Sequence, residues 1–213
     1  MASGAADQAA APSLPDAPTL QLAGELPIQD KDGLTHRFSD LYTSPGQHLV
    51  IFIRHFFCGN CEEYIRALAA QLSPSTLGKE TSLPSSIVII GCGSPKLIAD
   101  YASRTDCPYP IYADPDRKLY KVLGMGQNLA QGEKKPEYIE RSTPAIVVSS
   151  ILNGIKSGTG ALQGGNFSQN GGEWLFETVV GGKVGVLKWA HRMANSADHA
   201  EVKDLKEVLG IKA

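Results

Sequence analysis

Two cysteines separated by two residues form the part of this sequence best suited to chemistry. Cys58 and Cys61 follow an unbroken apolar run at residues 49–53, which is typical of a short strand buried on both faces. After Cys61, apolar residues recur at helical spacing, so the pair lies where a strand ends and a helix begins. A helix N-terminus favours thiolate over thiol because of its unpaired N–H groups and partial positive charge. This placement indicates thiol redox chemistry.

Two other interpretations of these cysteines are half of a zinc site and two small core residues. A zinc site normally needs four ligands, often as two close pairs. Cys92 and Cys107 do not form a second pair, and no histidine pair at zinc-ligand spacing accompanies them. We therefore predict that the cysteine pair needs no metal and no other cofactor.

Composition indicates one folded domain without a nucleic-acid or membrane partner. The 213-residue chain is 42% hydrophobic and 20% charged, and its formal net charge is −2. No basic stripe favours nucleic acid or an anionic membrane, and no apolar run approaches the roughly 18–20 residues that span a bilayer. Residues 1–18 are rich in Ala, Ser, Pro and Asp, which predicts a disordered lead before a single domain at 19–213.

The predicted compartment is the cytoplasm. The lead has neither the basic nor the apolar segment of a signal peptide. The four cysteines are too few for a secreted disulfide scaffold in a chain of this length. A reducing compartment is also where a thiol pair can be cycled.

The remaining elements predict an α/β fold around the central strand. Residues 86–92 and 109–113 are predicted strands, each followed by a helix that begins at a Ser-Pro or Asp-Pro pair. This alternation implies a parallel βαβ core with right-handed crossovers. Two strands flanking Gly181-Gly182 predict a hairpin, and residues 199–209 an amphipathic closing helix. Before the central strand we expect a short strand within 19–28, a return strand at 34–38 and one helical turn at 39–42. The cysteine helix should end near 73–74. A helix is predicted at 143–156, with a strand at 145–148 as the alternative.

The order of these elements is that of a thioredoxin-like fold. Residues 52–64, around the cysteine pair, resemble the peroxiredoxin-like branch of the alkyl hydroperoxide reductase/thiol-specific antioxidant superfamily. Further similar segments are residues 109–120, 163–167 and 183–199. The resemblance extends from about residue 20 to the C-terminus. It implies a three-layer α/β fold whose central mixed sheet has a parallel βαβ start and a C-terminal β-hairpin plus helix.

The resemblance also implies a thiol peroxidase or disulfide oxidoreductase. A thiolate of the pair would attack an O–O or S–S bond of a small-molecule substrate, and the neighbouring thiol would then close an intramolecular disulfide. An external thiol reductant would recycle the pair. A homodimer is common in this superfamily.

The sequence departs from the peroxiredoxin pattern at the cysteines themselves. Typical members have Pro-x-x-x-Thr-x-x-Cys, whereas the corresponding positions here are Arg54, Cys58 and Cys61. By the peroxiredoxin pattern Cys61 would attack peroxide; by analogy with thioredoxin Cys58 would be the exposed nucleophile, and the sequence leaves both open. The missing Thr and the glycine-rich residues 158–172 motivate an alternative, a small-molecule tailoring enzyme that uses the same cleft for non-peroxide chemistry. A non-catalytic binding module is the third alternative.

Residues near the loop are further candidates for the site. Arg54 precedes the loop, and a cation near the thiolate would lower the thiol pKa and orient a peroxide oxygen. Since Arg54 and His55 alternate along a strand, we expect only one to face the site and the other to be solvated. The remaining expectations are a charged loop residue at Arg141, passive thiols at Cys92 and Cys107, and a cap of the last helix at Asp198-His199.

Overall fold

A mixed sheet of seven strands forms the centre of the fold in the computed structural model. The structure describes residues 13–130, 132, 135–139, 146, 148, 152, 155, 163–182 and 185–211. The strands are β1 Pro27–Gln29, β2 Thr35–Arg37, β3 Gly46–Phe52, β4 Ser85–Gly91, β5 Ile111–Ala113, β6 Gly172–Thr178 and β7 Val186–Arg192. Their order in the sheet is β2-β1-β5-β4-β3-β6-β7. The pairs β3–β4 and β4–β5 are parallel, and the other neighbours are antiparallel.

The helices lie on both sides of this sheet. Their bounds are α1 Ala17–Gly24, α2 Gly59–Gln71, α3 Pro74–Glu80, α4 Ile98–Thr105, α5 Lys118–Val122 and α6 Val202–Val208, with short 3-10 turns at Phe38–Tyr42 and Pro95–Leu97. Among the described residues, no helix combines the length and the apolar character that crossing a membrane requires.

Alternate side chains of β3 belong to two separate hydrophobic clusters. Leu49 and Ile51 lie in the cluster that contains the buried side chains of α2, α4 and α6. Val50 and Phe52 lie in the other cluster, with the buried side chains of α1 and α5. Because successive strand residues point to opposite faces, the central strand is covered on both. This three-layer α/β arrangement confirms the predicted fold class.

Most elements predicted from the sequence are confirmed. The central strand, the two strands that run parallel to it, the return strand at 34–38, the turn at 39–42 and the C-terminal hairpin all form, with shifts of a few residues at their ends. Ser94 accepts a hydrogen bond from the Lys96 N–H at 3.4 Å, and Asp114 accepts one from the Leu119 N–H at 2.8 Å. The Ser-Pro and Asp-Pro pairs therefore satisfy N–H groups at the start of the helices that follow.

The short strand predicted within residues 19–28 is wrong for most of its length. The chain up to Gly24 forms α1, and only the last two residues of that stretch pair in β1. Asp16 caps α1 by accepting a hydrogen bond from the Thr19 N–H at 2.9 Å, a local signal that apolar alternation does not detect. Ser73 similarly caps α3, where the sequence predicted only the end of α2. The domain division between residues 18 and 19 stays a prediction.

Two predictions concern the second half of the chain. The helix predicted at 143–156 lies largely outside the described residues; those that are described, Ile146, Val148, Leu152 and Ile155, are helical. The closing helix begins at Val202 with Glu201 as its N-cap residue, three residues later than predicted. His199 therefore lies before the helix, and the prediction that it caps this helix is wrong.

Gly171 lies where the chain passes closest to the end of β3. A Cβ atom at this position would lie 1.8 Å from the Phe52 carbonyl oxygen, far inside van der Waals contact. We expect Gly171→Ala to lower the free energy of unfolding by about 3 kcal/mol, because backbone atoms must move to make room. Urea denaturation measures this change. The matched control is Gly78→Ala in α3, where a Cβ meets no atom within 4 Å and alanine should raise stability by about 0.5–1 kcal/mol. Equal effects of the two substitutions would contradict the close approach.

Candidate active site

The cysteine pair lies at the junction of β3 and α2, with Cys58 at the end of the loop and Cys61 in the first turn of α2. Cys58 is the N-cap residue of α2, and its side chain makes no capping hydrogen bond. Cys58 is 5% exposed, whereas Cys61 is 0% exposed. Both side chains are free thiols. Cys58 is therefore the slightly more exposed residue of the pair, and its side chain is not occupied in capping the helix.

The guanidinium group of Arg54 lies against Cys58. Arg54 Nη1 is 3.6 Å from Cys58 Sγ. Its other N–H groups donate to the carbonyl oxygens of Phe167 at 2.6 Å, Gln169 at 3.1 Å and Asn128 at 3.5 Å. Arg54 is itself 5% exposed, and its hydrogen-bond partners in the described part of the chain include no carboxylate. A buried cation therefore faces the Cys58 sulfur, and no carboxylate among the described residues hydrogen-bonds to it.

The two sulfurs of the pair titrate in opposite directions. A hydrogen bond from the Cys61 thiol, with smaller contributions from His55 and Arg54, holds the pKa of Cys58 well below its ordinary value despite burial. Burial raises the pKa of Cys61 well above its ordinary value, and the hydrogen bond to Cys58 and the negative charge there add to this shift. Cys58 is therefore the thiol of the pair that ionises more readily, and Cys61 is the one that holds its proton more firmly.

His55 is also buried, so the expectation that either Arg54 or His55 would be solvated is wrong. Since β3 ends at Phe52, both residues belong to the loop, where strand alternation no longer applies. His55 is 4% exposed, and its Nδ1 accepts a hydrogen bond from the Phe57 N–H at 3.3 Å. Burial lowers the pKa of His55 to about 4, so its ring is neutral at pH 7. Arg54 is then the cation beside Cys58.

A second polar group lies behind Cys61. His199 Nε2 is 3.3 Å from Cys61 Sγ, and His199 Nδ1 is 2.5 Å from Glu173 Oε1. The other carboxylate oxygen of Glu173 interacts with His191 Nδ1 at 2.8 Å and accepts from the Ala200 N–H at 3.3 Å. Burial alone would raise the pKa of Glu173, but the two histidines outweigh it and hold that pKa below its ordinary value. An ionised carboxylate therefore holds the imidazole that contacts the buried thiol.

Arg104 fixes the loop on the other side of the cysteine pair. Its guanidinium donates to the Phe56 carbonyl oxygen at 2.5 Å and to Glu62 Oε1 at 3.1 Å. Arg66 adds an ion pair to the other oxygen of Glu62 at 3.3 Å. The negative charge of Glu62, which would oppose a thiolate one turn away, is thus neutralised by two cations.

The other two cysteines do not join the pair. Cys92 Sγ donates to the Arg54 carbonyl oxygen at 2.9 Å, and burial raises the pKa of the Cys92 thiol to about 11. Burial also raises the pKa of Cys107 to about 11. Both are therefore neutral thiols at pH 7, and Arg141 lies outside the described residues. Within the described ranges, no group of three or more His, Cys, Asp or Glu side chains is placed to hold a metal ion.

The structure thus brings together Cys58, Cys61 and Arg54, the three residues proposed from the sequence. Neither Glu173 nor His199 was predicted from the sequence to be a site residue. One signal for Glu173 was present, because it is a single carboxylate directly before the apolar run 174–176 of a predicted strand, and such a charge is usually exposed or paired. Nothing local in the sequence connects His199 to Cys61.

Comparison with known proteins identifies relatives across almost the whole chain. The family model described as AhpC/TSA antioxidant enzyme matches residues 70–195, a range that begins after the cysteine pair. The protein peroxiredoxin-like 2C of Homo sapiens is 29% identical over 214 residues, covering 99% of this chain and 89% of the relative. The protein of the same name from Bos taurus is 30% identical over 221 residues, with the same coverage of both chains.

Solved structures share the fold at low sequence identity. The bacterioferritin comigratory protein of Xanthomonas campestris matches with a TM-score of 0.54 at 12% identity, covering 93% of each chain. The peroxidoxin BcpB of Mycobacterium tuberculosis matches with a TM-score of 0.53 at 13% identity, covering 88% of this chain and 94% of its own. These likenesses agree with the thioredoxin-like sheet and helix arrangement described above.

Proposed function

Because this chain belongs to the AhpC/TSA antioxidant enzyme family, we propose that it is a thiol peroxidase in which Cys58 attacks the substrate and Cys61 resolves the product. One observation carries this proposal: the buried Arg54 guanidinium lies 3.6 Å from Cys58 Sγ, where it stabilises a thiolate. Cys61 instead keeps its proton and is fully buried. This order of attack follows the thioredoxin analogy rather than the peroxiredoxin pattern, in which Cys61 would attack.

The first step is the attack of the Cys58 thiolate on the terminal oxygen of a hydroperoxide. The S–O bond forms as the O–O bond breaks, which oxidises Cys58 to a sulfenic acid and reduces the peroxide to an alcohol or water once the leaving oxygen is protonated. Arg54 stands where it can both hold the thiolate and interact with a peroxide oxygen. In this role it replaces the Thr hydroxyl that the peroxiredoxin pattern places at position 58.

The second step closes the disulfide. Cys61 attacks the sulfenic sulfur of Cys58, the S–S bond forms, and the oxygen leaves as water. An external thiol then reduces the disulfide by exchange, which returns the pair to its starting state. Since this cycle needs reduced thiols, we place the protein in the cytoplasm, and we propose a homodimer by its resemblance to the superfamily.

The relatives guide the choice of substrate. The Xanthomonas campestris protein that shares this fold is described with an alkyl peroxide reduction activity. The curated relatives carry the name peroxiredoxin-like. We therefore propose that both hydrogen peroxide and organic hydroperoxides be used as test substrates.

Stopped-flow oxidation of the reduced protein by hydrogen peroxide and by an organic hydroperoxide tests this function. Free cysteine is only a few per cent thiolate at pH 7, so full ionisation of Cys58 alone gives about a 30-fold faster reaction than free cysteine. We expect at least that factor. A rate no higher than that of free cysteine would contradict a peroxidase. It would favour non-peroxide chemistry in the same cleft or a binding module.

A further inference from the structure

Disulfide formation requires a group that accepts the proton of Cys61, and the cysteine pair does not supply one after Cys58 is oxidised. Burial raises the pKa of Cys61, and its 0% exposure means that water does not reach its sulfur directly. A thiol attacks a sulfenic or disulfide sulfur as the thiolate. Before oxidation, a thiolate at Cys58 can accept a hydrogen bond from the Cys61 thiol. Once Cys58 is oxidised this acceptor has lost its charge, and the proton needs another.

His199 is placed to be that acceptor. Its Nε2 lies 3.3 Å from Cys61 Sγ, and its Nδ1 lies 2.5 Å from Glu173 Oε1. Since an ionised carboxylate only accepts hydrogen bonds, Nδ1 carries a proton, and in the neutral ring Nε2 is then the nitrogen whose lone pair faces the thiol. The ring stacks on Tyr64 with centroids 4.2 Å apart and planes 8° from parallel, which fixes its orientation. The Arg54 backbone N–H, 3.4 Å from Cys61 Sγ, adds a donor for the thiolate that forms.

Glu173 is held firmly in turn. Its second oxygen interacts with His191 Nδ1 at 2.8 Å and with the Ala200 N–H at 3.3 Å. Glu173 and His199 have side chains of 0% exposure, whereas the His191 side chain is 30% exposed and lies 3.8 Å from Asp198. The carboxylate therefore connects a buried imidazole to one that reaches solvent. Such a carboxylate fixes the tautomer of its imidazole and stabilises the imidazolium that forms.

We propose that His199 is the general base that takes the proton of Cys61 during disulfide formation, and that Glu173 is the residue that positions it. This inference rests on the proposed function for the order of the two cysteines. The S–H bond of Cys61 breaks toward His199 Nε2 as its sulfur bonds to Cys58. The imidazolium then returns that proton to the hydroxide that leaves Cys58, so the step produces one disulfide and one water.

The ionisable groups around His199 support its assignment as the base for Cys61. Around His199 the ionisable groups are Cys61 and Tyr64 from α2, Tyr138 from the loop before residue 140, and Glu173 from β6. Burial raises the pKa values of both tyrosines, so they stay neutral at working pH. The two tyrosines should therefore not contribute to the pH dependence of resolution.

The test separates resolution from peroxide chemistry by using 4,4′-dithiodipyridine as the oxidant. The Cys58 thiolate attacks one sulfur and releases a first thiopyridone; Cys61 then attacks the mixed disulfide and releases a second. The second release reports the proton transfer from Cys61 whether or not the protein reduces peroxides. A Cys107→Ser background removes the half-buried thiol as a competing reactant, and mass analysis confirms the disulfide between the pair.

We expect His199→Gln to slow the second release about 100-fold at pH 7 and the first release less than about threefold, since general bases contribute 10²–10⁴-fold. Between about pH 7 and pH 9 the variant rate should rise tenfold per unit as hydroxide replaces the base, whereas the wild-type rate should change by less than tenfold. Glu173→Gln should slow the second release about tenfold. If circular dichroism shows that His199→Gln does not fold, the pH profile of the second release in Glu173→Gln tests the proposal instead.

His48 offers a matched control, because it is another buried histidine with two hydrogen bonds. Its Nδ1 and Nε2 interact with Ser86 Oγ at 2.9 Å and the Ser44 carbonyl at 2.8 Å, near the start of β3 rather than its end. His48→Gln should leave both releases unchanged. Equal second-release rates in wild type and His199→Gln at every pH would contradict the role of His199 as the base. The same conclusion would follow if His48→Gln slowed the second release as much as His199→Gln does. Slow wild-type oxidation by peroxide with a normal pyridyl disulfide result would instead overturn the proposed function alone.

Discussion

Cys58→Ser is expected to abolish the rapid reaction with hydroperoxides, with a loss of at least about 10³-fold, because the hydroxyl that replaces the sulfur is not ionised at pH 7. Cys61→Ser should keep the first oxidation within about tenfold of wild type. Its hydroxyl can still donate to the Cys58 sulfur, which is the interaction that most lowers the pKa of Cys58. Without a resolving thiol, Cys58 should then remain as a sulfenic acid.

Stopped-flow kinetics with mass detection distinguishes the two cysteine variants. A sulfenic acid that persists on Cys58 in Cys61→Ser, trapped by dimedone, is the expected product. Cys92→Ser is the control, because its thiol has a pKa of about 11 and donates to a backbone carbonyl instead of joining the pair. The opposite pattern, with rapid oxidation kept in Cys58→Ser and lost in Cys61→Ser, would assign the attack to Cys61 and restore the peroxiredoxin pattern.

Arg54→Met is expected to give the second large effect, through the charge beside Cys58. An opposite charge at this distance commonly lowers a pKa by about 1–3 units, so its removal should raise the pKa of Cys58 by that amount. The pH profile of oxidation should therefore move up by about 1–3 units, so that the variant is slower on the acid side of the profile and recovers as pH rises. Arg54→Lys keeps a cation but loses the fixed fork of donors, and should fall between wild type and Arg54→Met.

The pH dependence of Cys58 alkylation by iodoacetamide measures this shift directly. Arg192→Met is the matched control, since Arg192 is a part-buried arginine that donates to the Leu123 carbonyl at 2.8 Å and lies over the Trp174 ring, on the other side of the sheet. It should leave the Cys58 profile unchanged. An unaltered profile in a folded Arg54→Met variant would remove Arg54 from the site.

The sequence alone was sufficient for the frame that carries the site. A strand buried on both faces, a change from strand to helical period, and Pro- or Ser-led helix starts are local patterns, and each depends only on residues close together in the chain. These local patterns placed Cys58 and Cys61 at the junction of β3 and α2. They also predicted the parallel core and the terminal hairpin. The strand predicted within 19–28 failed because the side-chain cap at Asp16, and not the spacing of apolar residues, determines that α1 forms there.

The chemistry of the pair was decided by tertiary structure. Arg54 is held in place by a carbonyl 115 residues away, and His199 contacts Cys61 across 138 residues. A pKa depends on burial and on charges within a few ångströms, neither of which is a property of neighbouring residues in the chain. The sequence could therefore name two thiols and a nearby cation. Only the folded chain lowers the pKa of Cys58, raises that of Cys61 and brings the His199 imidazole to the Cys61 sulfur.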